Sequence, residues 1–293
     1  MIYNCDVFEG LKKIEENSID MCLTDPPYFL DKLDDKWNEK TISSNTKNQA
    51  IKSLPGGMKF DRNQGKKLYD WYFEVSKEIF RVLKPGAIFL SFSAQRLYHR
   101  MTCAVEDAGF EIRDSLIWLY TQSQAKSMSL ERFIKTLNIE ENKKEEIYNL
   151  LTYWKTPMLK SSYEPIVYGQ KPTNGTFLNN FYNYNVGLLN TSKKVGAGKF
   201  PSNVLTVDEI SEIIDSTFLV SKPRKDLYNR HKTVKPLALC EALISFFTLE
   251  NATILDPFAG SGTTLLAAKN LNRKYIGIEI SVNYIEIINK RLL

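Results

Sequence analysis

Asp25-Pro26-Pro27-Tyr28 presents a carboxylate, a prolyl carbonyl and a phenol ring on four consecutive residues. The carboxylate and the carbonyl can together accept both hydrogens of an exocyclic amine, and the ring can stack on a flat base. Two prolines make the turn rigid and remove the N–H groups that would compete for its carbonyls. A second constellation is Asp256-Pro257-Phe258-Ala259-Gly260-Ser261-Gly262-Thr263-Thr264, which follows an apolar run and opens a helical one. Gly260 and Gly262 let the backbone turn sharply and approach a ligand closely. The unpaired N–H groups and positive dipole end of the helix behind them suit a carboxylate or phosphate. Glu279 lies 19 residues beyond Gly260, the distance at which an acid bonds ribose hydroxyls in such a unit. No Gly-Lys-Ser/Thr follows, which excludes a Walker A loop, and the third glycine of a dinucleotide fingerprint is missing. Either segment alone could be a plain turn. Together they read as a nucleoside site beside an amine-binding turn.

The elements that must position these groups follow an α/β rhythm. The apolar run 19–24 reads as a strand stopped by the prolines, so Asp25 falls at its carboxyl end, where open parallel sheets bind ligands. Val7, Leu11 and Ile14 keep helical spacing upstream. Apolar residues from Leu68 to Leu83 recur in steps of three and four, an amphipathic helix, followed by a buried strand over 87–92. A helix over 97–108 closes at Gly109, and a strand covers 112–119. The last stretch resumes the pattern: helix 236–247, strand 252–255, helix 261–271, strand 275–280 and helix 282–292. Three stretches break it. Residues 31–67 are polar and read as a long loop. Residues 121–160 carry a charged helix near 130–151. Residues 173–229 are rich in Asn, Gly, Lys and Tyr and read as a smaller lobe.

Length and composition narrow the class. The 293 residues carry 39 Lys+Arg against 34 Asp+Glu, a net charge of +5, with 43% hydrophobic residues. That is ample apolar content for a globular core and argues against disorder. No run of about 18 apolar residues is present, so no membrane partner is expected. Cys5, Cys22, Cys103 and Cys240 form no CxxC pair, and with only His99 and His231 beside them no metal site is expected. A reducing, cytoplasmic location fits. Residues 172–235 hold nine Lys/Arg and five Asp/Glu. The densest part, Lys222, Arg224, Lys225, Arg230, Lys232 and Lys235, suits phosphate contacts that set affinity rather than sequence.

The two motifs together resemble the amino-group DNA methyltransferases that use S-adenosylmethionine. The catalytic motif precedes the cofactor motif, as in the permuted beta arrangement. Lys84-Pro85-Gly86, Glu164-Pro165-Ile166-Val167 and His231-Lys232-Thr233-Val234-Lys235-Pro236 also sit where that arrangement places them. The resemblance implies a doubly wound, mostly parallel seven-stranded sheet, circularly permuted, with a smaller target-recognition lobe. It implies a catalytic part over 1–171, a target-recognition region over 172–230 and a cofactor-binding part over 231–293. Met1–Cys5 becomes the family's third strand. Asp6 becomes the acid for the cofactor's adenine amine, Glu279 the ribose acid and Phe258 the aromatic beside the cofactor. Three positions depart from the family: Cys5 replaces a Gly, Lys232 a Pro, and Phe29-Leu30 the commoner Asn or Gly after the motif.

The implied activity is methyl transfer to adenine N6 in duplex DNA, with the base flipped out and Tyr28 as its stacking partner. Asp at the first motif position accompanies adenine more often than cytosine in the family. The same acceptors serve cytosine N4, which is the alternative. An RNA methyltransferase and a non-catalytic DNA-binding subunit are the further rivals. Double-stranded DNA is the expected partner, with a second copy of the chain and a cognate restriction endonuclease as further candidates. Asn174, Asn179, Asn180, Asn183 and Asn185 are candidates to read base edges.

Overall fold

In a computed structural model of the chain, the described residues are 1–28, 62–119, 127–192, 200–207, 218–220 and 234–293. Among them nine strands form one sheet: β1 (Ile2–Tyr3), β2 (Ile19–Thr24), β3 (Leu83–Phe92), β4 (Glu111–Leu119), β5 (Tyr163–Gln170), β6 (Val204–Val207), β7 (Phe218–Val220), β8 (Thr253–Asp256) and β9 (Lys274–Ile278). Their order is β1-β9-β8-β2-β3-β5-β4-β6-β7. The first seven make the expected sheet. Within it β1, β9, β8, β2 and β3 pair in parallel, while β5 runs antiparallel between β3 and β4. The sheet goes beyond seven strands because β6 and β7, drawn from the 172–230 region, add in parallel to the β4 edge.

Alternation along the central strands explains the two covered faces. Cys22, Phe89 and Leu255 face a cluster built with α1 (Val7–Leu11), α2 (Arg62–Val82) and α3 (Tyr98–Asp107). Met21, Leu23, Ile88, Leu90, Phe92 and Ile254 face the other way, against α7 (Leu237–Phe247) and α8 (Thr263–Asn270). The C-terminal helix α9 (Val282–Leu292) sends Ile288 against Ala259 and Leu265, beneath the glycine loop. Ile19 shares the Cys22 face despite its odd spacing, because the β2–β3 register shifts between Ile19 and Met21. β2 is thus buried along its whole length. That explains an apolar run with no polar alternation.

Three expectations are corrected. Helix α2 begins at Arg62, so the polar loop does not reach residue 67. Gln64 and Gly65 continue the buried stripe below Leu68, and Gly65 packs on Arg100. Apolar periodicity is blind to a stripe filled by Gln and Gly. The charged helix near 130–151 is two helices, α4 (Glu131–Lys135) and α5 (Glu141–Leu150). Asn180, on α6 (Phe177–Tyr184), is fully buried. Its amide donates to the Pro85 and Val186 carbonyls at 2.9 and 3.2 Å and its oxygen accepts the Asn174 N–H. It is a brace for the first residues of β3, not a base reader. The rest of the expected loop, 31–61, lies outside the described residues, as do residues 29 and 30. No helix among the described residues is long and apolar enough to cross a membrane.

Candidate active site

Four adjacent parallel strands deliver acids to one edge of the sheet. β8 pairs with β2 on one side and β9 on the other, and β9 pairs with β1. Their carboxyl ends lead to Asp256, Asp25, Glu279 and Asp6 respectively. The two motifs touch directly: Thr24 Oγ1 donates to Asp256 Oδ1 at 2.7 Å across 232 residues of sequence. The proline turn and the glycine loop therefore lie side by side at the opening between β2 and β8.

Asp256 organises the glycine loop from below. It is buried, and its Oδ1 also accepts the Phe258 N–H at 3.1 Å. Burial lifts its titration to about 6 from the ordinary 3.8, against the pull of hydrogen bonds from Thr24, Thr264 and Phe258. The loop then turns through two left-handed glycines, Gly260 at φ +50° and Gly262 at φ +80°. The Ala259 N–H bonds the Ile278 carbonyl at 3.0 Å, tying the loop to β9. Arg291 from α9 donates to the Ser261 carbonyl at 2.5 Å and to Thr263 Oγ1 at 3.1 Å. Thr263 and Thr264 are buried in the first turn of α8. Gly262, the N-cap of α8, has no side chain to cap it, which leaves that turn's N–H groups open to a ligand.

Glu279 follows β9 and curls back toward the loop. Its Oε2 accepts the Gly260 N–H and its Oε1 the Ser281 N–H, both at 2.8 Å. Burial pushes its titration upward, opposed by the N–H groups of Ser281, Gly260 and Ile280. Three N–H donors against about four acceptor positions leave the carboxylate room for a further hydroxyl. Asp6 sits at the end of β1 and uses Oδ1 to cap α1 through the Phe8 N–H at 2.9 Å. Phe258 lies over Trp71 of α2, ring centroids 5.5 Å apart. A methyl group built onto Gly260 would meet nothing closer than 3.9 Å, so the loop has an open side. An open glycine turn, an uncapped helix start, a partly buried acid one strand away and an aromatic wall fit a nucleoside that also carries a carboxylate. S-adenosylmethionine has those parts.

The proline turn contains a charge cluster. Tyr28 donates its hydroxyl to Asp25 Oδ1, and the hydroxyl oxygen of Tyr28 also lies 3.0 Å from Glu164 Oε1 at the start of β5. Burial, and then the two carboxylates, keep that phenol protonated far above the usual tyrosine range. Lys235, just before α7, donates to Asp25 Oδ2 at 2.6 Å and pairs with Glu164 Oε1 at 2.9 Å. Its ammonium also lies 4.8 Å from the Phe92 ring centroid. Burial disfavours the lysine's charge, but Asp25 and Glu164 outweigh it and raise its titration above the ordinary value. Burial raises Glu164, and Lys235 only partly offsets this. Pro26 is buried, while Asp25 and Pro27 are partly open.

Lys235 is therefore corrected: it is not part of a basic face for phosphate, because its side chain is only 12% exposed and is paired twice. A lysine 13 residues after Lys222 reads in sequence like the rest of the basic run. Its partners come from elements 210 and 71 residues away. Glu164 was visible only as a family-like Glu-Pro at a strand start. Its link to Tyr28 spans 136 residues. Lys222, Arg224, Lys225, Arg230 and Lys232 lie outside the described residues.

A doubly wound sheet with a proline turn for an amine beside a glycine loop for a nucleoside defines an amino-group methylase. Residues 19–290 match the N6/N4 methyltransferase family, described as DNA methylase, and the chain belongs to it. The family draws its methyl group from S-adenosylmethionine. Among its relatives, the Type II methyltransferase M.HindIII of Haemophilus influenzae is 32% identical over 315 residues, covering 99% of this chain and 94% of the relative. The DNA adenine methyltransferase YhdJ of Escherichia coli is 27% identical over 302 residues, covering 99% and 82%. The solved M1.HpyAVI–SAM complex shares the fold with a TM-score of 0.55 at 21% identity, covering all of this chain and 99% of that one. The PvuII DNA methyltransferase, cytosine-N4-specific, does so with a TM-score of 0.58 at 18% identity, covering 100% and 86%.

Proposed function

We propose that this enzyme methylates adenine at N6 in duplex DNA at a specific sequence, with Asp25 as the side-chain acceptor for the target amine. The observation that carries the reading is the 2.7 Å bond from Thr24 to Asp256, which joins the amine-binding turn to the cofactor loop. When bound, the cofactor supplies an electrophilic methyl group on a sulfonium. The amine of adenine is a poor nucleophile because its lone pair is delocalised into the ring. Asp25 and the Pro26 carbonyl accept its two hydrogens, favour a pyramidal nitrogen and aim the lone pair at the methyl. The catalysis is orientation and electrostatics, without a covalent intermediate on the protein. The target base must leave the duplex to reach the turn, and the Tyr28 ring, anchored through its hydroxyl, is the candidate stacking surface.

Glu279 is read as the ribose acid, Asp6 as the acid for the cofactor's adenine amine and Phe258 as the wall of that pocket. The segment 172–230 is read as the target-recognition region, with Lys222, Arg224, Lys225, Arg230 and Lys232 as phosphate contacts. The Type II names of several relatives support a cognate restriction endonuclease as a partner. A homodimer belongs to the same proposal.

Asp25→Ala tests the mechanism. The variant is expected to bind S-adenosylmethionine like the wild type while transferring label to DNA at least about 100-fold more slowly, as for loss of a group that acts in the transition state. Near-normal transfer would remove Asp25 from the reaction. Nucleoside analysis of the wild-type product should yield N6-methyladenine, and N4-methylcytosine would overturn the choice of base.

A further inference from the structure

We propose that Lys235 is a positioning residue for methyl transfer: its ammonium, set between Asp25 and Glu164, keeps both carboxylates ionised and fixes the orientation in which Asp25 meets the target amine. The inference rests on the reading of Asp25 as the amine's acceptor. It concerns two side chains that reading does not use.

The geometry makes the case. One ammonium serves two carboxylates, at 2.6 Å and 2.9 Å. All three side chains are at most one-third exposed, and Lys235 is the most enclosed. Asp25 and Glu164 are further coupled through the Tyr28 hydroxyl, which has one proton and gives it to Asp25 in the shorter contact. Among the described residues, the other titratable groups facing the cluster are Asp256 at the end of β8, Tyr72 from α2 and Cys240 from α7. None of these is a cation, so Lys235 alone among them balances the two acids. Without it, two like charges this close share a proton rather than both ionise. A proton on Asp25 turns an acceptor into a donor and spoils it for an amine hydrogen. With Lys235 in place the three groups sum to one negative charge. That favours the positive charge which the amine nitrogen acquires as the methyl arrives.

The contacts also aim Asp25. Tyr28 takes a lone pair of Oδ1 and Lys235 takes one of Oδ2. Each oxygen keeps a second lone pair, and the two fixed donors determine where it points. Lysine at this position is thus a device acting through charge, and its contact with Phe92 is secondary.

The test is the pH dependence of kcat for label transfer into DNA, with cofactor binding by calorimetry as the check on folding. Lys235→Met keeps the apolar stem and removes the charge. It is expected to move the acid limb of the profile up by about one pH unit or more, and so to lower kcat about tenfold at pH values on that limb. Adding Glu164→Gln to that variant restores one net negative charge and should return the limb toward the wild-type position. Glu164→Gln alone should move the limb down or leave it in place, and Lys235→Arg should leave it in place. A Lys235→Met limb superimposed on the wild type would overturn the proposal, as would a double variant slower than Lys235→Met with an unmoved limb. If Lys235→Met does not fold, Glu164→Gln decides, and an upward shift there overturns it. An active Asp25→Ala would instead defeat the underlying reading. An inactive Asp25→Ala beside an unmoved Lys235→Met limb would defeat only the role of Lys235.

Discussion

Asp256 is a carboxyl group that the fold keeps in an unfavourable place. Its side chain is buried between β2 and the glycine loop, and three hydrogen bonds do not fully compensate the lost solvation, so it titrates near 6. The folded chain then binds a proton more tightly than the unfolded chain, whose carboxyl titrates near 3.8. Stability attributable to this group is greatest below that lower value and is lost as pH rises through about 6, a difference of ~3 kcal/mol at neutral pH. Asp256→Asn keeps an oxygen for Thr24 and the Phe258 N–H and removes the charge. Its stability relative to the wild type, read from urea midpoints, should climb between pH 4 and 6 and level off above. A relative stability that falls over this range would mean that the ionised carboxylate stabilises the fold. Single residues such as Asp25, Gly260 and Glu279 stood out as candidates because short motifs and a fixed spacing mark them in the sequence. Lys235 and Glu164 were not, because what they do depends on partners in other elements. A lysine beside Lys232 gives no sign that it turns inward.

At the level of elements, the strand–loop–helix unit of β8 and α8 separates two uses of glycine. Gly262 stands at φ +80°, and a Cβ there would come 2.9 Å from Ile288 Cγ1 on α9. Gly260 stands at φ +50° with no atom within 3.9 Å of such a Cβ. Gly262→Ala therefore meets both a left-handed backbone and a collision with a buried branched side chain, and should cost about 2–4 kcal/mol of stability. Gly260→Ala should cost about 1–2 kcal/mol, from the backbone alone. The cofactor should rank them the other way. A methyl on Gly260 projects into the open side of the loop, so Gly260→Ala should weaken S-adenosylmethionine binding more per unit of lost stability. Calorimetric titration beside thermal unfolding measures both, and equal ratios would show that neither glycine faces the ligand. Helix–strand alternation made this unit plain in the sequence, because a short apolar run, a glycine turn and an apolar helix are all local signals. The start of α2 was hidden because Gln64 and Gly65 carry the buried stripe where apolar residues were sought. The break between α4 and α5 was hidden within a segment, 131–146, whose charged residues interspersed with a few apolar ones suit either one helix or two.

For the whole molecule, the arrangement of the sheet matters more than the content of any strand. β2 lies between β3, from the first half of the chain, and β8, from the last quarter. The apolar faces of β2 are covered by α2 on one side and α7 on the other. The order of the motifs along the chain implied that the segment with the glycine loop returns to meet the segment with the proline turn. The antiparallel insertion of β5 between β3 and β4, and the extension by β6 and β7, could not be read. Strand pairing at long range leaves no mark on hydrophobic periodicity. This topology has a thermodynamic consequence. Residues 253–256 supply the neighbour that β2 needs, so a chain with two separable halves would have to expose Met21, Leu23, Ile254 and their companions when one half melts. Heat should therefore unfold the region of the central strands in a single cooperative step. S-adenosylmethionine at 100 times its Kd should raise the midpoint of that step by several degrees, corresponding to ~2.7 kcal/mol. Scanning calorimetry with and without the cofactor reads this directly. Two transitions, with only the one assigned to residues 234–293 moving on addition of the cofactor, would show that the halves fold apart and that β2 does not depend on β8.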